Sequence, residues 1–121
     1  MMNTILIVDD SSTIRCYLEN LFVNDFHIFQ AESAKEALEI YNCENPDMVL
    51  LDLTLPGGDR AGIEVLKQIR TLNSSAKIII VTSIVEERVR NECIALGALE
   101  YLLKPLSGDT VINLVKLHLS N

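Results

Sequence analysis

The sequence predicts an α/β fold, a doubly wound five-stranded parallel sheet in a three-layer αβα sandwich. Three observations predict it. Short apolar runs (Ile5-Leu6-Ile7-Val8, Met48-Val49-Leu50-Leu51 and Ile78-Ile79-Ile80-Val81) stand between turn signals, as strands buried on both faces do. Segments with apolar residues at helical spacing separate them. The β-α alternation repeats along the chain with no linker or low-complexity stretch, and strict alternation implies parallel strands with helices on both faces. The 121 residues fit a single domain over 1–121, and 49% hydrophobic residues can fill a core without staples.

Each element has its own justification. The first strand ends on Asp9-Asp10, and Ser11 and Ser12 offer N-caps to a helix reaching Val23. Ile14, Tyr17, Leu18, Leu21 and Phe22 form that helix's apolar face. Phe26 to Phe29 reads as a short second strand, with His27 at an exposed position. Ser33-Ala34-Lys35-Glu36 matches a capping box, and Ala37, Leu38, Ile40 and Tyr41 face inward from the second helix. The third strand, bounded by Pro46-Asp47, stops at Asp52. Pro56-Gly57-Gly58-Asp59-Arg60-Ala61-Gly62 is loop chemistry, with Asp59 expected to cap a helix carrying Ile63, Val65, Leu66 and Ile69. The fourth strand ends on Thr82-Ser83. Its helix carries Val85, Val89, Ile94 and Leu96, and Gly97 is placed to terminate it. Leu99 to Leu103 forms the fifth strand, ending on Lys104-Pro105. Ser107 is placed to cap the last helix, which is apolar over more than one face. His118 reads as an ordinary residue near that helix's C-terminus.

Composition removes several function classes. A formal net charge of −7 argues against a nucleic-acid-binding surface. Cys16, Cys43 and Cys93 are odd in number and widely spaced, with no CxxC. That argues against a disulfide framework or zinc site and for a reducing compartment; each reads as a small buried hydrophobe. Met1-Met2-Asn3-Thr4 does not open a signal peptide, and no apolar run is long enough to span a bilayer. The expected location is the cytoplasm, with no membrane contact.

Parallel strands present their carboxyl ends on one edge, where open α/β sheets bind ligands. Asp9-Asp10, Asp52, Thr82 and Lys104 all fall there. Singly, each has a bland role: Asp9 and Asp52 as turn formers, Asp10 as a helix-start residue, Thr82 bonded to local backbone, Lys104 as a solvated lysine. Together they suggest chemistry. Clustered carboxylates repel, which protonation or a cation must offset, and all-oxygen ligands suit magnesium. An ammonium and a hydroxyl beside one remaining carboxylate make a site for a transferring phosphoryl group, with Asp as nucleophile.

At these residues the chain resembles the receiver domain of two-component response regulators. The motifs are Asp9-Asp10, Asp52-Leu53-Thr54-Leu55-Pro56, Thr82-Ser83 and Tyr101-Leu102-Leu103-Lys104-Pro105, in that order on successive strand ends. The resemblance covers essentially the whole chain and implies the flavodoxin-like strand order 2-1-3-4-5. It implies that Asp52 is the phosphoacceptor, served by a histidine kinase, a phosphotransfer protein or a small phosphodonor. Asp9, Asp10, Asp52 and the Thr54 backbone carbonyl would hold Mg2+. Thr82 and Lys104 would hold phosphoryl oxygens, helped by backbone N–H groups near Leu53 and Ser83. Tyr101 would be an aromatic switch that turns inward as Thr82 moves, and the Lys104-Pro105 bond would be cis. The implied function is a signalling switch acting on a downstream effector or output domain outside this chain, not an enzyme beyond its own phosphorylation and dephosphorylation. A homodimer through the last two α/β units is a further expectation.

Two features depart from the pattern or add to it. The loop after Pro56 is longer by about two residues. Ile84, two residues past Thr82, is bulky enough to shield a phosphoryl group from water. Alternative functions are a receiver-like module that is no longer phosphorylated and a small phosphatase with an Asp nucleophile. Such a phosphatase needs a second Asp two residues on, where this chain has Thr54. A flavodoxin-type carrier needs a hydroxyl- and glycine-rich loop where Asp9-Asp10 stand.

Overall fold

The computed structural model describes residues 2–120; Met1 and Asn121, the two ends of the expected domain, lie outside the described residues. Strands and helices alternate as β1 (Thr4–Val8), α1 (Ser12–Phe22), β2 (His27–Ala31), α2 (Ala34–Glu44), β3 (Met48–Leu51), α3 (Ala61–Leu72), β4 (Ile78–Thr82), α4 (Glu87–Ala95), β5 (Glu100–Leu103) and α5 (Gly108–Leu119). Every strand pairing is parallel, and the sheet order is β2-β1-β3-β4-β5. This is the flavodoxin-like order that the resemblance implied. Among the described residues, no helix is long and apolar enough to cross a membrane.

The period-two alternation of the strands sends side chains to two core halves. Leu6, Val8, Val49, Leu51, Ile78 and Ile80 face Ala37, Ile63, Leu66 and Ile69 of α2 and α3. Ile5, Ile7, Met48, Leu50, Ile79 and Val81 face Leu18, Phe22, Val111 and Val115 of α1 and α5. Phe22 and Phe26 meet edge to face, their ring centroids 5.6 Å apart. With both faces covered, β3 and β4 are buried throughout.

The caps match the sequence reading in part. Ser11 Oγ accepts the Ile14 N–H and Ser33 Oγ the Glu36 N–H, while Glu36 returns a carboxylate to the Glu32 N–H. Gly97, at φ 106°, follows the end of α4. Asp59 does not cap α3. The N-cap is Arg60, without a side-chain bond, because the entry turn is closed by backbone, the Ala61 N–H donating to Gly58 O. Ser107 holds the cap position of α5, yet its hydroxyl makes no capping bond.

Other differences lie in edges and exposed faces. β2 runs from His27 to Ala31, later than expected, and β5 starts at Glu100 rather than Leu99. Tyr17 is exposed, since α1 buries Leu18 and Phe22 instead. α4 starts at Glu87, so Val85 precedes it and is exposed. Its one buried residue is Cys93, not Ile94, which is also exposed. Cys16 and Cys43 are exposed rather than buried; both lie on the solvent side of their helices. Burial pushes the Cys93 thiol up to about 11, an unreactive core sulfur.

One close approach fixes the chain just past β3. Gly62, in the first turn of α3, is buried against the chain just past β3. A β-carbon there would collide with Leu53 Cα and stand 2.6 Å from the Leu53 carbonyl oxygen and 2.8 Å from that of Asp52. Only hydrogen at this position lets α3 pack so tightly on the Asp52-Leu53 backbone. Gly62→Ala is therefore expected to lower unfolding stability by about 1–3 kcal/mol, as overpacking of close contacts does. Urea titration reads this as a lower midpoint at unchanged slope.

Candidate functional site

Three site residues are each the first residue past a strand, still pinned by the sheet's backbone. The Asp9 N–H donates to Ala31 O at 3.0 Å, the Asp52 N–H to Val8 O at 2.9 Å, and the Lys104 N–H to Thr82 O at 2.9 Å. The ladder thus extends one residue beyond β1, β3 and β5, so these side chains converge above the sheet edge. Val8 pairs with Leu51 across β1 and β3, which brings Asp9 and Asp52 level.

Asp9, Asp10 and Asp52 can each place a carboxylate oxygen within 4.8 Å of the others. Asp9 and Asp52 are each 2% exposed, and Asp10 is on the surface. Lys104 Nζ donates to Asp9 Oδ2 at 2.8 Å and to Asp52 Oδ2 at 3.1 Å. The remaining acceptors have local donors. Asp9 Oδ1 takes the Ser11 N–H at 2.9 Å, Asp52 Oδ1 the Thr54 N–H at 3.2 Å, and Asp52 Oδ2 the Thr54 hydroxyl at 2.9 Å. In each aspartate one oxygen accepts a backbone N–H of the following turn while the other accepts from Lys104.

Charge is not balanced. Three carboxylates face one ammonium. Burial holds the Asp9 carboxyl above its usual pKa, with the Asp52 charge adding to it, although Lys104 and the Ser11 N–H work the other way. Burial disfavours the Lys104 ammonium, yet its bonds to Asp9 and Asp52 and their charges outweigh this and raise its pKa. Lys104 is therefore charged at neutral pH and offsets only part of the negative charge. The donors are all oxygens on a partly open rim, and such a set fits a hard divalent cation. The Lys104-Pro105 bond is cis.

The other predicted residues sit close by. Thr82 is fully buried and its Oγ1 accepts the Ile84 N–H at 3.4 Å. Tyr101 is half-buried and its hydroxyl donates to Ile84 O at 2.8 Å; burial pushes its pKa up to about 12. Thr54 is exposed. His118 is more than an end residue: its Nε2 is 2.9 Å from Glu100 Oε2.

Two supporting residues escape sequence reasoning. Arg15 Nη1 donates to the Asp9 carbonyl at 2.6 Å while its Nε holds Gln30 Oε1, bracing the turn from α1. Gly62 is the other. Neither has a local pattern to announce it, since each acts through contacts distant in sequence.

The family model described as "Response regulator receiver domain" matches residues 5–116. The chain belongs to this family. Sporulation initiation phosphotransferase F of Bacillus subtilis (strain 168) is 40% identical over 121 residues, spanning 98% of this receiver domain and 96% of that protein. Chemotaxis protein CheY of the same organism is 32% identical, spanning 95% and 96%. Among solved structures, a CheY-like receiver domain protein from Methanospirillum hungatei JF-1 superposes with a TM-score of 0.92 at 26% identity, covering 99% of this receiver domain and 95% of that chain. The CheX-CheY-BeF3-Mg+2 complex from Borrelia burgdorferi gives a TM-score of 0.88 at 30% identity, covering 96% and 88%. Receiver domains are signalling modules with an acidic pocket of the kind found here.

Removing the ammonium from this receiver's site isolates its structural share. Lys104→Met is expected to destabilise the metal-free protein by about 1–3 kcal/mol, because two buried carboxylates lose their charged partner. The loss is smaller in an Asp52→Asn background. A double-mutant cycle in urea measures the difference.

Proposed function

We propose that the protein is a phosphorylatable switch of a two-component system that accepts a phosphoryl group on Asp52. The single observation that carries this reading is the Asp52 carboxylate. It lies at the end of the central strand, held by Thr54 and Lys104 beside Asp9 and Asp10. One Asp52 oxygen attacks the phosphorus of a phosphohistidine or of acetyl phosphate. The P–N or P–O bond breaks, its electron pair leaves with the imidazole or acetate, and an aspartyl phosphate remains.

The chain's own groups prepare this step. Lys104 exchanges its bond to Asp52 for one to a phosphoryl oxygen, and Thr82 offers a hydroxyl proton from its buried position. Asp9, Asp10, Asp52 and the Thr54 carbonyl would hold Mg2+. When bound, the ion supplies positive charge against the crowded carboxylates and the phosphoryl oxygens. In the complex from Borrelia burgdorferi, a protein of this fold is named with BeF3 and Mg+2, which supports the assignment.

Readout runs through Ile84. Its N–H meets Thr82 and its carbonyl meets Tyr101, so one backbone unit joins the phosphoryl-side hydroxyl to the ring. Movement of Thr82 toward a phosphoryl group displaces that unit and resets Tyr101. Ile94, Leu103 and Leu117, from α4, β5 and α5, are exposed, apolar positions suited to a downstream partner or a second copy of the chain. The source of the phosphoryl group is a histidine kinase or phosphotransfer protein. The likeness to sporulation initiation phosphotransferase F favours onward transfer along a phosphorelay. The exposed Cys16 and Cys43 thiols suit a reducing cytoplasm.

Intact-mass spectrometry after incubation with acetyl phosphate tests the reading. One added phosphoryl group is expected in the presence of Mg2+, and none without the ion or in Asp52→Asn. Wild-type protein that takes up nothing under any condition, or Asp52→Asn that still does, defeats it.

Metal binding has its own readout. Mg2+ at about ten times its Kd should stabilise the protein by roughly 1.4 kcal/mol, a rise of several degrees in Tm. Asp10→Asn removes an exposed ligand from the cluster without disturbing the buried pair, and most of that rise should disappear in differential scanning calorimetry.

A further inference from the structure

We propose that Arg60 and Glu92 form a latch that ties α4 to the loop following the phosphoacceptor and resists movement of that helix. Its effect on phosphoryl uptake rests on the reading of Asp52 above; the latch itself does not.

The pair is a two-point contact. Arg60 Nη1 donates to Glu92 Oε1 at 2.8 Å while Nη2 donates to Glu92 Oε2, a fork that fixes orientation as well as distance. The Arg60 hydrogen bonds hold the Glu92 carboxyl below its usual pKa. The two residues are 32 positions apart, so the contact joins separate α/β units.

Each end of the latch is attached to something that matters. Arg60 is the residue before α3, and its carbonyl accepts the Glu64 N–H at 2.9 Å. Two residues on, Gly62 packs directly on the Asp52 and Leu53 backbone. The Arg60 main chain is therefore braced against the end of β3. Glu92 lies on α4, whose single buried residue is its neighbour Cys93. Val89 of α4 and Leu96 at its C-cap are only partly buried against the core, so a tether to a braced loop adds to a modest set of anchors.

The loop that delivers Arg60 is the stretch that departs from the receiver pattern. Between Pro56 and Gly62, Gly57 and Gly58 adopt φ 110° and 118°. An open groove of about 720 Å³ lies beside this loop, with Thr54, Pro56, Arg60, Ile63, Ile84 and Val89 among its lining residues. Thr54 contacts Asp52 and Ile84 contacts Thr82 and Tyr101, so the latch spans the gap between the acceptor side and the readout side. A contact that favours the resting arrangement lowers the population of any other, and its loss raises that population.

Hydrogen exchange with mass-spectrometric detection tests the latch on the unphosphorylated protein. Arg60→Ala and Glu92→Ala should each speed exchange of amides over 86–95 by about two- to fivefold, the range for an exposed ion pair. Amides of β1 and β3 should not change. The charge swap Arg60→Glu with Glu92→Arg should restore protection, which loss of side-chain packing alone does not predict. Phosphoryl uptake from acetyl phosphate should rise by a similar factor in the single variants and return in the swap. Unchanged exchange over 86–95, or a swap that behaves like the single variants, overturns the latch. Faster exchange with unchanged uptake overturns its link to phosphorylation. Wild-type protein that takes up no phosphoryl group defeats the reading of Asp52, and the exchange measurements still decide the latch.

Discussion

The site depends on the contact of one ammonium with two buried carboxylates. Lys104 comes from β5 at the sheet's edge, while Asp9 and Asp52 come from the adjacent central strands β1 and β3, so the contact bridges across β4. Each partner needs the others. Without Lys104, two carboxylates at 2% exposure lose their positive partner; without them, a half-buried ammonium lacks acceptors. The parallel sheet makes the meeting possible, because it aligns strand ends distant in sequence and extends its backbone bonds one residue further to fix where each side chain starts.

The same arrangement keeps the site short of positive charge. One ammonium faces three carboxylates, and burial raises the Asp9 pKa despite its bond to Lys104. A site built for stability alone would place apolar residues here, since replacing buried charges with packed hydrophobes is often neutral or favourable. This one retains an electrostatic deficit that a bound cation would offset. The surrounding core tolerates it: β3 and β4 are buried along their length, so local repulsion is met by apolar packing on both faces.

Legibility in the sequence follows from burial. β1, β3 and β4 have covered faces, so their residues form unbroken apolar runs and their polar endings stand out. Those endings, Asp9, Asp52, Thr82 and Lys104, are most of the site. β2 and β5 are edge strands with mixed exposure, and there the apolar signal blurs and the boundaries shift. α4 shows the limit more sharply. Its apolar residues suggested a face through Ile94, but the core takes Cys93 and leaves Ile94 in solvent. Residue type alone does not set helical phase where only one side chain is buried. Asp59 failed as a cap for a related reason. α3 starts at Ala61, and a backbone bond from Ala61 to Gly58 closes the turn. Gly62 and Arg15 left no trace in local pattern, because each is defined by what approaches it from another part of the chain.

A division of rigidity emerges from these particulars. The acceptor side is braced from several directions: Gly62 presses α3 on the Asp52 backbone, Arg15 holds the Asp9 carbonyl, and backbone bonds pin both aspartates. The α4 side buries fewer side chains. α4 has a single buried residue, and Thr82 meets Ile84 through a bond of 3.4 Å, long for an N–H donor. Charge held on the braced side needs little reorganisation. Motion is available where packing is sparse, and local stability is lowest where buried contacts are fewest. The Ile84 backbone and the Arg60–Glu92 pair cross the boundary between the two sides. If Asp52 takes up charge as proposed, the Ile84 backbone and the Arg60–Glu92 pair are the contacts through which α4 would respond.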